Sequence, residues 1–266
     1  MIGDKRRFFE IVQLVRHSPP VNQLRYHAYK TALSFPRRHE CNLCGWTGRR
    51  FLTHLHRHVL CPRCGSQVRH RLIAAALVHA PHLTQGAVVD GSRILHFSAE
   101  DCLESTLRPR ARLYVKADLP ADRVNIRGDM THMPFRDGAF DALISCDVLE
   151  HIVDDRAAVA EIHRVLRPNG VAILTVPTFD DRDTTCEDPS VDTPDRRAVA
   201  YGQSDHVRNY GAGDFAARLA SAGFTVSVVD AGCFSPKLVR RHVLFPPTLR
   251  QSPHGWNNRR VFFARA

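Results

Sequence analysis

The sequence contains no long apolar run. Within the first twenty residues, the apolar stretch is interrupted by Glu10 and Gln13, and it is too short and too polar for a signal peptide or a membrane-spanning helix. We therefore expect a cytoplasmic protein with no stable membrane insertion. A basic amphipathic helix in this stretch would either dock on the body of the protein or touch a membrane surface.

Acidic residues are scarce at the front of the chain. Residues 1–80 contain 14 Lys and Arg against 3 Asp and Glu, a net charge of +11; the remaining residues, with 23 against 24, carry −1 of the total of +10. We expect residues 1–38 to form a basic helical segment. This asymmetry indicates a front module that meets RNA, an acidic metabolite or an acidic surface of the same chain, although a solvated basic face is equally compatible with it.

Cysteine, by contrast, is plentiful and patterned. Four of the eight cysteines form two matching units, CNLCG and CPRCG, separated by sixteen residues. Two such units place four thiolates around one zinc ion, and the glycine after each pair lets the chain turn back. The predicted zinc ligands are Cys41, Cys44, Cys61 and Cys64, within a zinc ribbon of residues 39–68. A closed four-thiolate site has no position for water, so we expect it to support folding and not catalysis.

Three histidines alternate with other residues between the two cysteine pairs. His54, His56 and His58 lie in the stretch GWTGRRFLTHLHRHVL, and their spacing predicts one strand that carries them on one face. They are either spare metal ligands or the polar face of the ribbon. The following stretch, QVRHRLIAAALVHA, has helical spacing and is expected to join the ribbon to the main domain.

From residue 93 the pattern alternates between strands and helices. Continuous apolar stretches such as RILHFSA, FDALISCD and GVAILTVP alternate with amphipathic helical stretches such as DRAAVAEIHRVL. This pattern predicts an α/β fold with a parallel sheet covered on both faces. Ligands of such sheets bind beyond the carboxyl ends of the strands.

Two longer motifs carry a family resemblance. The runs GDMTHMPFRDGAFDALISCDVLEHI and RVLRPNGVAILTVP resemble class I S-adenosylmethionine-dependent methyltransferases with a type 11 methyltransferase domain. Together with ILHFSAED, the CxxCG units resemble a bacterial subgroup with an N-terminal zinc ribbon. The resemblance covers roughly residues 90–266 and implies a Rossmann-like, mostly parallel seven-stranded sheet with helices on both faces, with S-adenosylmethionine as cofactor. We expect the methyltransferase domain to span residues 69–266.

Glycine is missing where this family has a glycine-rich turn. In RILHFSAED the glycine positions fall at Ser98, Glu100 and Cys102, and His96 stands where an acidic residue is common. The cofactor has no pyrophosphate to cradle, so small side chains can replace the first glycine. Glu100 would accept a bond from the cofactor's ammonium group or cap the following helix. The turn residues expected to bind the cofactor are His96, Phe97, Ser98, Ala99 and Glu100.

The ends of the next two strands supply further cofactor residues. Asp118 lies 18 residues past Glu100, about the offset at which such folds bind the ribose hydroxyls with a carboxylate; a helix cap or surface carboxylate is the alternative. The resemblance implies that Asp129 binds the adenine amino group and that Met130 packs against the ring.

The fourth strand ends close to where the sulfonium would lie. We expect Asp147 to act in catalysis and to contact cofactor or substrate, with a plain strand-end carboxylate as the alternative. His151, the histidine of the family's LEHI pattern, is expected to act in catalysis or in a structural hydrogen bond. Glu150 is expected to face solvent or cap the turn.

A long insert, residues 177–213, shows no regular pattern and follows the fifth strand. We expect it to form a lid and acceptor-binding loop at the cofactor edge. Between residues 180 and 195 it has seven acidic residues against Arg182 alone, which would pair with the basic front, select a cationic acceptor or simply be solvated.

The second half of the insert, YGQSDHVRNYG, contains residue types that bind and move protons. His206 is the predicted catalytic base, with a structural or exposed histidine as the alternative. The predicted substrate-binding residues are Asp205, Arg208 and Tyr210.

These expectations favour methyl transfer to an oxygen or nitrogen nucleophile of a small-molecule metabolite or natural product. Two alternatives stay open. One is an RNA methyltransferase in which residues 1–80 bind nucleic acid, although no aromatic-rich RNA platform or NPPY-type motif is visible. The other is a non-catalytic binding protein that kept the fold.

Overall fold

The computed structural model describes residues 38–54, 57–87, 89–119, 124–179, 183–245, 256–257 and 260–266. The basic helical segment predicted for residues 1–38 lies outside this part of the chain, except for Arg38, and so does His56. In the described ranges, no helix is both long enough and apolar enough to cross a membrane.

The described part of the front module, from residue 38 to residue 80, contains two short hairpins and a helix. Strands His39–Glu40 (β1) and Thr47–Gly48 (β2) pair antiparallel, as do Leu52–His54 (β3) and Arg57–Leu60 (β4). The single strand predicted to carry the three histidines is therefore wrong. His54 pairs with Arg57 across a chain reversal, and residue alternation alone does not distinguish one strand from a hairpin. The helix Val68–His79 (α1) follows, as predicted.

Strands and helices alternate from residue 93 onwards. In order they are Arg93–Phe97 (β5), Asp101–Leu107 (α2), Leu113–Asp118 (β6), Ile126–Arg127 (β7), Phe140–Cys146 (β8), Asp155–Val165 (α3), Leu166–Thr175 (β9), Thr178–Phe179 (β10), Cys186–Glu187 (β11), Pro194–Tyr201 (α4), Arg208–Asn209 (β12), Ala212–Ser221 (α5), Thr225–Val229 (β13), Pro236–His242 (α6), Trp256–Asn257 (β14) and Val261–Arg265 (β15). Single 3-10 turns occur at Pro81–Leu83, Arg108–Arg110, Leu149–His151 and Ala231–Cys233.

The central sheet has seven strands in the order β13-β15-β9-β8-β5-β6-β7. All neighbours from β9 to β7 are parallel, and only β15 runs antiparallel to both of its neighbours. The predicted mostly parallel seven-stranded sheet is confirmed. The strand order reverses between β5 and β8, so a crevice is expected at their carboxyl ends.

Alternate residues of the central strands pack on opposite faces. Ile94 lies with α1 and α2 in one core cluster, whereas Leu95 lies with α3 and α5 in the other. This period of two is what a sheet buried on both faces requires, and the predicted helices on both faces are confirmed.

The insert is more regular than its sequence predicts. It contains α4, whose N-terminus is capped by the Thr193 side chain and which ends at Gly202 with a φ of +86°. Its strand β11 pairs antiparallel with β12. The cap and the terminal glycine were local signals for this helix, but the acidic composition around them suggested a loop.

Candidate functional site

The four predicted zinc ligands converge. Cys41 Sγ lies 3.7 Å from Cys64 Sγ, Cys44 Sγ lies 3.6 Å from Cys61 Sγ, and all four sulfurs lie within 4.8 Å of one another. A tetrahedral zinc ion with bonds of about 2.3 Å has sulfur–sulfur edges of about 3.8 Å, whereas a disulfide would need about 2.05 Å. The thiols therefore fit a tetrahedral zinc ion without rearrangement.

Arg71 ties this cysteine cluster to the main domain. Its fully buried guanidinium donates to the carbonyl oxygens of Ser66 and His242, each at 2.7 Å, and of Val243 at 3.1 Å. It also lies 4.3 Å above the Phe51 ring. The start of α1 is thus fixed by both the front module and the segment after α6.

The glycine-free turn at the end of β5 adopts a glycine-like conformation. Ser98 has a φ of +50°, in the left-handed region that glycine enters most easily. Its hydroxyl donates to Asp118 Oδ2 at 2.8 Å. The serine therefore provides the turn and also orients the carboxylate predicted to bind the ribose.

Glu100 lies at the start of α2 but does not cap it with its side chain. Instead its carboxylate lies 2.9 Å from His70 Nε2, 3.2 Å from His96 Nε2 and 3.5 Å from Arg69. The cap suggested as one role for Glu100 is wrong, because these partners turn the side chain towards α1. Although burial alone would raise the pKa of Glu100, hydrogen bonds from the two histidines lower it.

Arg69, in the first turn of α1, bridges the ends of β5 and β8. One guanidinium nitrogen lies 3.3 Å from Asp147 Oδ2 and another 3.5 Å from Glu100. Burial alone would lower the pKa of Arg69, but these carboxylates raise it. Its Nε is a buried donor with no acceptor among the described residues.

Asp147 is held in a second left-handed conformation. Its φ is +55°, and its Oδ1 accepts a hydrogen bond from Thr175 Oγ1 at 2.7 Å. A non-glycine residue in this region is uncommon and is often found at functional sites.

The other predicted cofactor residues are spread between core and surface. His96, Phe97 and Met130 have buried side chains, Ala99 is partly exposed, and Asp129 is exposed. Asp129 Oδ1 accepts from the backbone and hydroxyl of Thr131. These cofactor assignments stay predictions.

A second cluster lies beyond β8, where Glu150 and His151 meet His206 of the insert. The Glu150 side chain is 1% exposed, so the expectation that it faces solvent is wrong. Neither of its carboxylate oxygens has a hydrogen-bond partner in the described part of the chain. Burial, reinforced by the nearby Asp147 carboxylate, raises the pKa of Glu150 well above its ordinary value.

His206 is buried against His151. It is 1% exposed, and the two rings are 4.7 Å apart between centroids and nearly perpendicular. Burial, together with the charge of His151, lowers the pKa of His206. His151 is one-third exposed, and its Nδ1 lies 3.4 Å from Asp205 Oδ2. The structure thus brings together His206, His151 and Asp205 from two distant parts of the sequence.

Arg208 and Tyr210, predicted to bind substrate, are buried and hold the insert in place. Arg208 donates to Glu187 Oε2 at 2.7 Å and to Val153 O at 2.8 Å. The Tyr210 hydroxyl donates to Asp155 Oδ2 at 2.6 Å. These contacts favour a structural role for both side chains, because their polar atoms already bind protein groups.

Sequence reasoning did not identify Arg69, His70 or Glu150 as site residues. Arg69 and His70 lie before the first strand of the main sheet, on a helix that was interpreted as a connection. The available signal was a helix with two arginines and a histidine in its first turn, placed before the strand that leads to the cofactor turn. Glu150 was expected to be exposed because glutamate side chains are seldom fully buried.

Comparisons with known proteins agree with this geometry. Residues 92–174 match a family described as a methyltransferase domain. Over 117 residues, or 42% of its length, the chain is 34% identical to a probable S-adenosylmethionine-dependent methyltransferase of Mycolicibacterium smegmatis. Over a stretch of the same length it is 38% identical to an uncharacterized 37.1 kDa protein in transposon TN4556 of Streptomyces fradiae. The matches span only 39% and 32% of the lengths of these relatives.

A solved structure has the same fold. The [4+2]-cyclase SpnF superposes with a TM-score of 0.50 and 17% identity, over 73% of this chain and 81% of that one. At this identity the likeness shows the fold alone, and a fold hosts more than one chemistry. Residues 92–174 are similar to a methyltransferase domain, and they lie in a Rossmann-like sheet.

Proposed function

We propose that the protein transfers a methyl group from S-adenosylmethionine to an oxygen or nitrogen nucleophile of a small-molecule metabolite or natural product. The observation that carries the proposal is the charge set of Arg69, Glu100 and Asp147 at the point where the strand order reverses. The methionine end of the cofactor has one carboxylate and one ammonium group. The partly buried Arg69 guanidinium would pair with the cofactor carboxylate, and the carboxylates of Glu100 and Asp147 would pair with the ammonium group.

The remaining cofactor contacts follow the strand ends. Asp118, oriented by Ser98, would accept bonds from the ribose hydroxyls. Asp129 and Met130 would bind the adenine. The bound cofactor supplies an electrophilic methyl group on a sulfonium, and the residues of this chain position it and exclude water.

We assign binding and activation of the methyl acceptor to the cluster of Glu150, His151 and His206 that follows β8. An acceptor that bears a proton requires a base within hydrogen-bond reach. His206 is the proposed base, because burial lowers its pKa and so keeps its ring neutral at neutral pH. His151 and Asp205 would orient the acceptor or the base, and the insert that carries His206 would close over both.

The cysteine cluster is proposed to hold one structural zinc ion in a cytoplasmic protein. All eight cysteines are free thiols, which suits a reducing compartment. Zinc binding would fix the start of α1 through Ser66 and Arg71 and would therefore support the position of Arg69.

Cofactor binding and acceptor class are tested in one series. S-adenosylhomocysteine binding is measured by calorimetry on the zinc-loaded protein, and labelled S-adenosylmethionine is then offered separately to a small-metabolite extract and to total RNA. We expect binding, and label in the metabolite extract. No affinity for S-adenosylhomocysteine would contradict an enzymatic role, and label in RNA alone would replace the small-molecule acceptor with RNA.

A further inference from the structure

We propose that Glu150, His151 and His206 form a second metal site, distinct from the cysteine cluster, which binds a first-row divalent transition cation. One ligand atom from each residue lies within 4.8 Å of the others. Imidazole and carboxylate are ordinary ligands of zinc, manganese and iron(II). Three protein ligands leave coordination positions open, in contrast to the closed set of four thiols.

Glu150 provides an independent observation. Its side chain is almost fully buried, and both carboxylate oxygens are without a hydrogen-bond partner among the described residues. Burying such a group without compensation is costly, and a cation bound by the two histidines would compensate its charge. His151 Nε2 lies 4.0 Å from Glu150 Oε1, beyond hydrogen-bond distance. Arg69 pairs with Glu100 and Asp147, and Arg208 pairs with Glu187.

The surrounding contacts hold the three ligands in place. The Val207 amide donates to Glu150 O at 2.9 Å, so the residue after His206 is fixed to the turn that carries the other two ligands. Arg208 donates to the carbonyl oxygens of Leu149, Ile152 and Val153 on either side of that turn. Supporting shells of this kind orient metal ligands.

The site also bears on the acceptor, and this step rests on the proposed function. A cation with open positions binds an acceptor oxygen and lowers the pKa of its hydroxyl group, which favours hydroxyl acceptors over amines. A neutral imidazole has one lone pair, so His206 cannot both bind the cation and act as the base. In a metal-bound enzyme, Glu150, His151 and His206 would hold the cation, which would supply the activation of the acceptor hydroxyl in place of His206.

The test uses the full chain with its thiols already loaded with zinc and adds Mn²⁺, which does not compete well for thiolates. Equilibrium dialysis and electron paramagnetic resonance measure bound Mn²⁺. We expect one Mn²⁺ per chain, and binding weakened at least about tenfold in Glu150→Gln and in His206→Gln. His82→Gln, a change at an exposed histidine, should bind as the wild type does.

Two outcomes would overturn the metal site: no Mn²⁺ binding by the wild type, or equal binding by folded Glu150→Gln and His206→Gln. Near-ultraviolet circular dichroism checks that each variant is folded. Parallel calorimetry with S-adenosylhomocysteine separates the two proposals. Cofactor binding without Mn²⁺ binding removes the metal site alone, and Mn²⁺ binding without cofactor binding removes the proposed function alone.

Discussion

Two clusters at the same edge of the sheet combine one glutamate with two histidines. Glu100 lies against His70 and His96 beside the cofactor turn, and Glu150 lies near His151 and His206 on the proposed acceptor side. Their composition is the same, but their hydrogen bonding is opposite. Glu100 is bonded by both histidines and paired with Arg69, whereas neither oxygen of Glu150 has a hydrogen-bond partner among the described residues.

The difference shows that partners, and not residue type, set the charge of a buried carboxyl group. Burial acts to raise the pKa of both glutamates, but bonds from His70 and His96 lower that of Glu100. Glu150 has no such bonds, and the Asp147 carboxylate adds to the effect of burial. The Glu100 carboxylate is therefore satisfied by side chains of the protein, whereas the Glu150 carboxyl group has no hydrogen-bond partner among the described residues.

The largest effect is expected where one cation serves two carboxylates. Arg69→Met would leave Glu100 and Asp147 partly buried without their shared partner, which should lower the free energy of unfolding by about 3–5 kcal/mol. S-adenosylhomocysteine affinity should fall about tenfold to hundredfold. Urea denaturation and calorimetry measure the two effects.

Two control variants qualify this prediction. Arg69→Lys retains the charge and should recover part of both losses, and Arg112→Met, at an exposed arginine, should change neither. Wild-type cofactor affinity in a folded Arg69→Met protein would remove Arg69 from the cofactor site.

The same substitution in the two glutamates should have opposite signs. Glu100→Met removes an acceptor bonded by two histidines and should destabilise the protein by about 2–3 kcal/mol. Glu150→Met removes a buried carboxyl group without hydrogen bonds and should stabilise it by about 1 kcal/mol when no divalent cation is added beyond the zinc in the thiols. Urea denaturation at neutral pH compares the two.

Added Mn²⁺ sharpens this contrast. A ligand that binds only the folded state raises stability, so Mn²⁺ should stabilise the wild type and Glu100→Met but not Glu150→Met. If both Glu100→Met and Glu150→Met lowered the free energy of unfolding, both carboxyl groups would stabilise the folded protein and the predicted contrast would be wrong.

The sequence predicted the sheet, the helices on its two faces and the convergence of the four thiols. Those features depend on local periodicity and spacing, which are visible within about ten to twenty residues. The resemblance also directed attention to Ser98, Asp118 and Asp147, which do lie at neighbouring strand ends.

The two histidine clusters could not be assembled from the sequence. His70 meets Glu100 across 30 residues, and His206 meets Glu150 across 56. Arg208 and Tyr210 are of residue types suited to substrate binding, but their side chains are buried and their hydrogen bonds hold the insert in place. Contacts between residues distant in the sequence decide which polar side chains become partners, and the local sequence pattern does not predict those contacts.

A pH dependence of stability is also expected from the cluster in which two histidines bond Glu100. The backbone N–H of Gln67 donates to His70 Nδ1. The proton of the neutral ring is therefore on Nε2, which donates it to Glu100. Burial lowers the pKa of His70 below its ordinary value. On acidification through about pH 6.5 the unfolded chain takes up this proton first, so stability should fall by at most about 1.4 kcal/mol per pH unit.

His70→Gln isolates this contribution, because glutamine retains an N–H donor for Glu100 but does not titrate. Between about pH 7.5 and pH 5.5, urea denaturation should show the wild type losing more stability than the variant, although other histidines titrate equally in both. Equal losses would mean that His70 binds its proton in the folded state as easily as in the unfolded chain. The Glu100 carboxylate would then stabilise an imidazolium at this position.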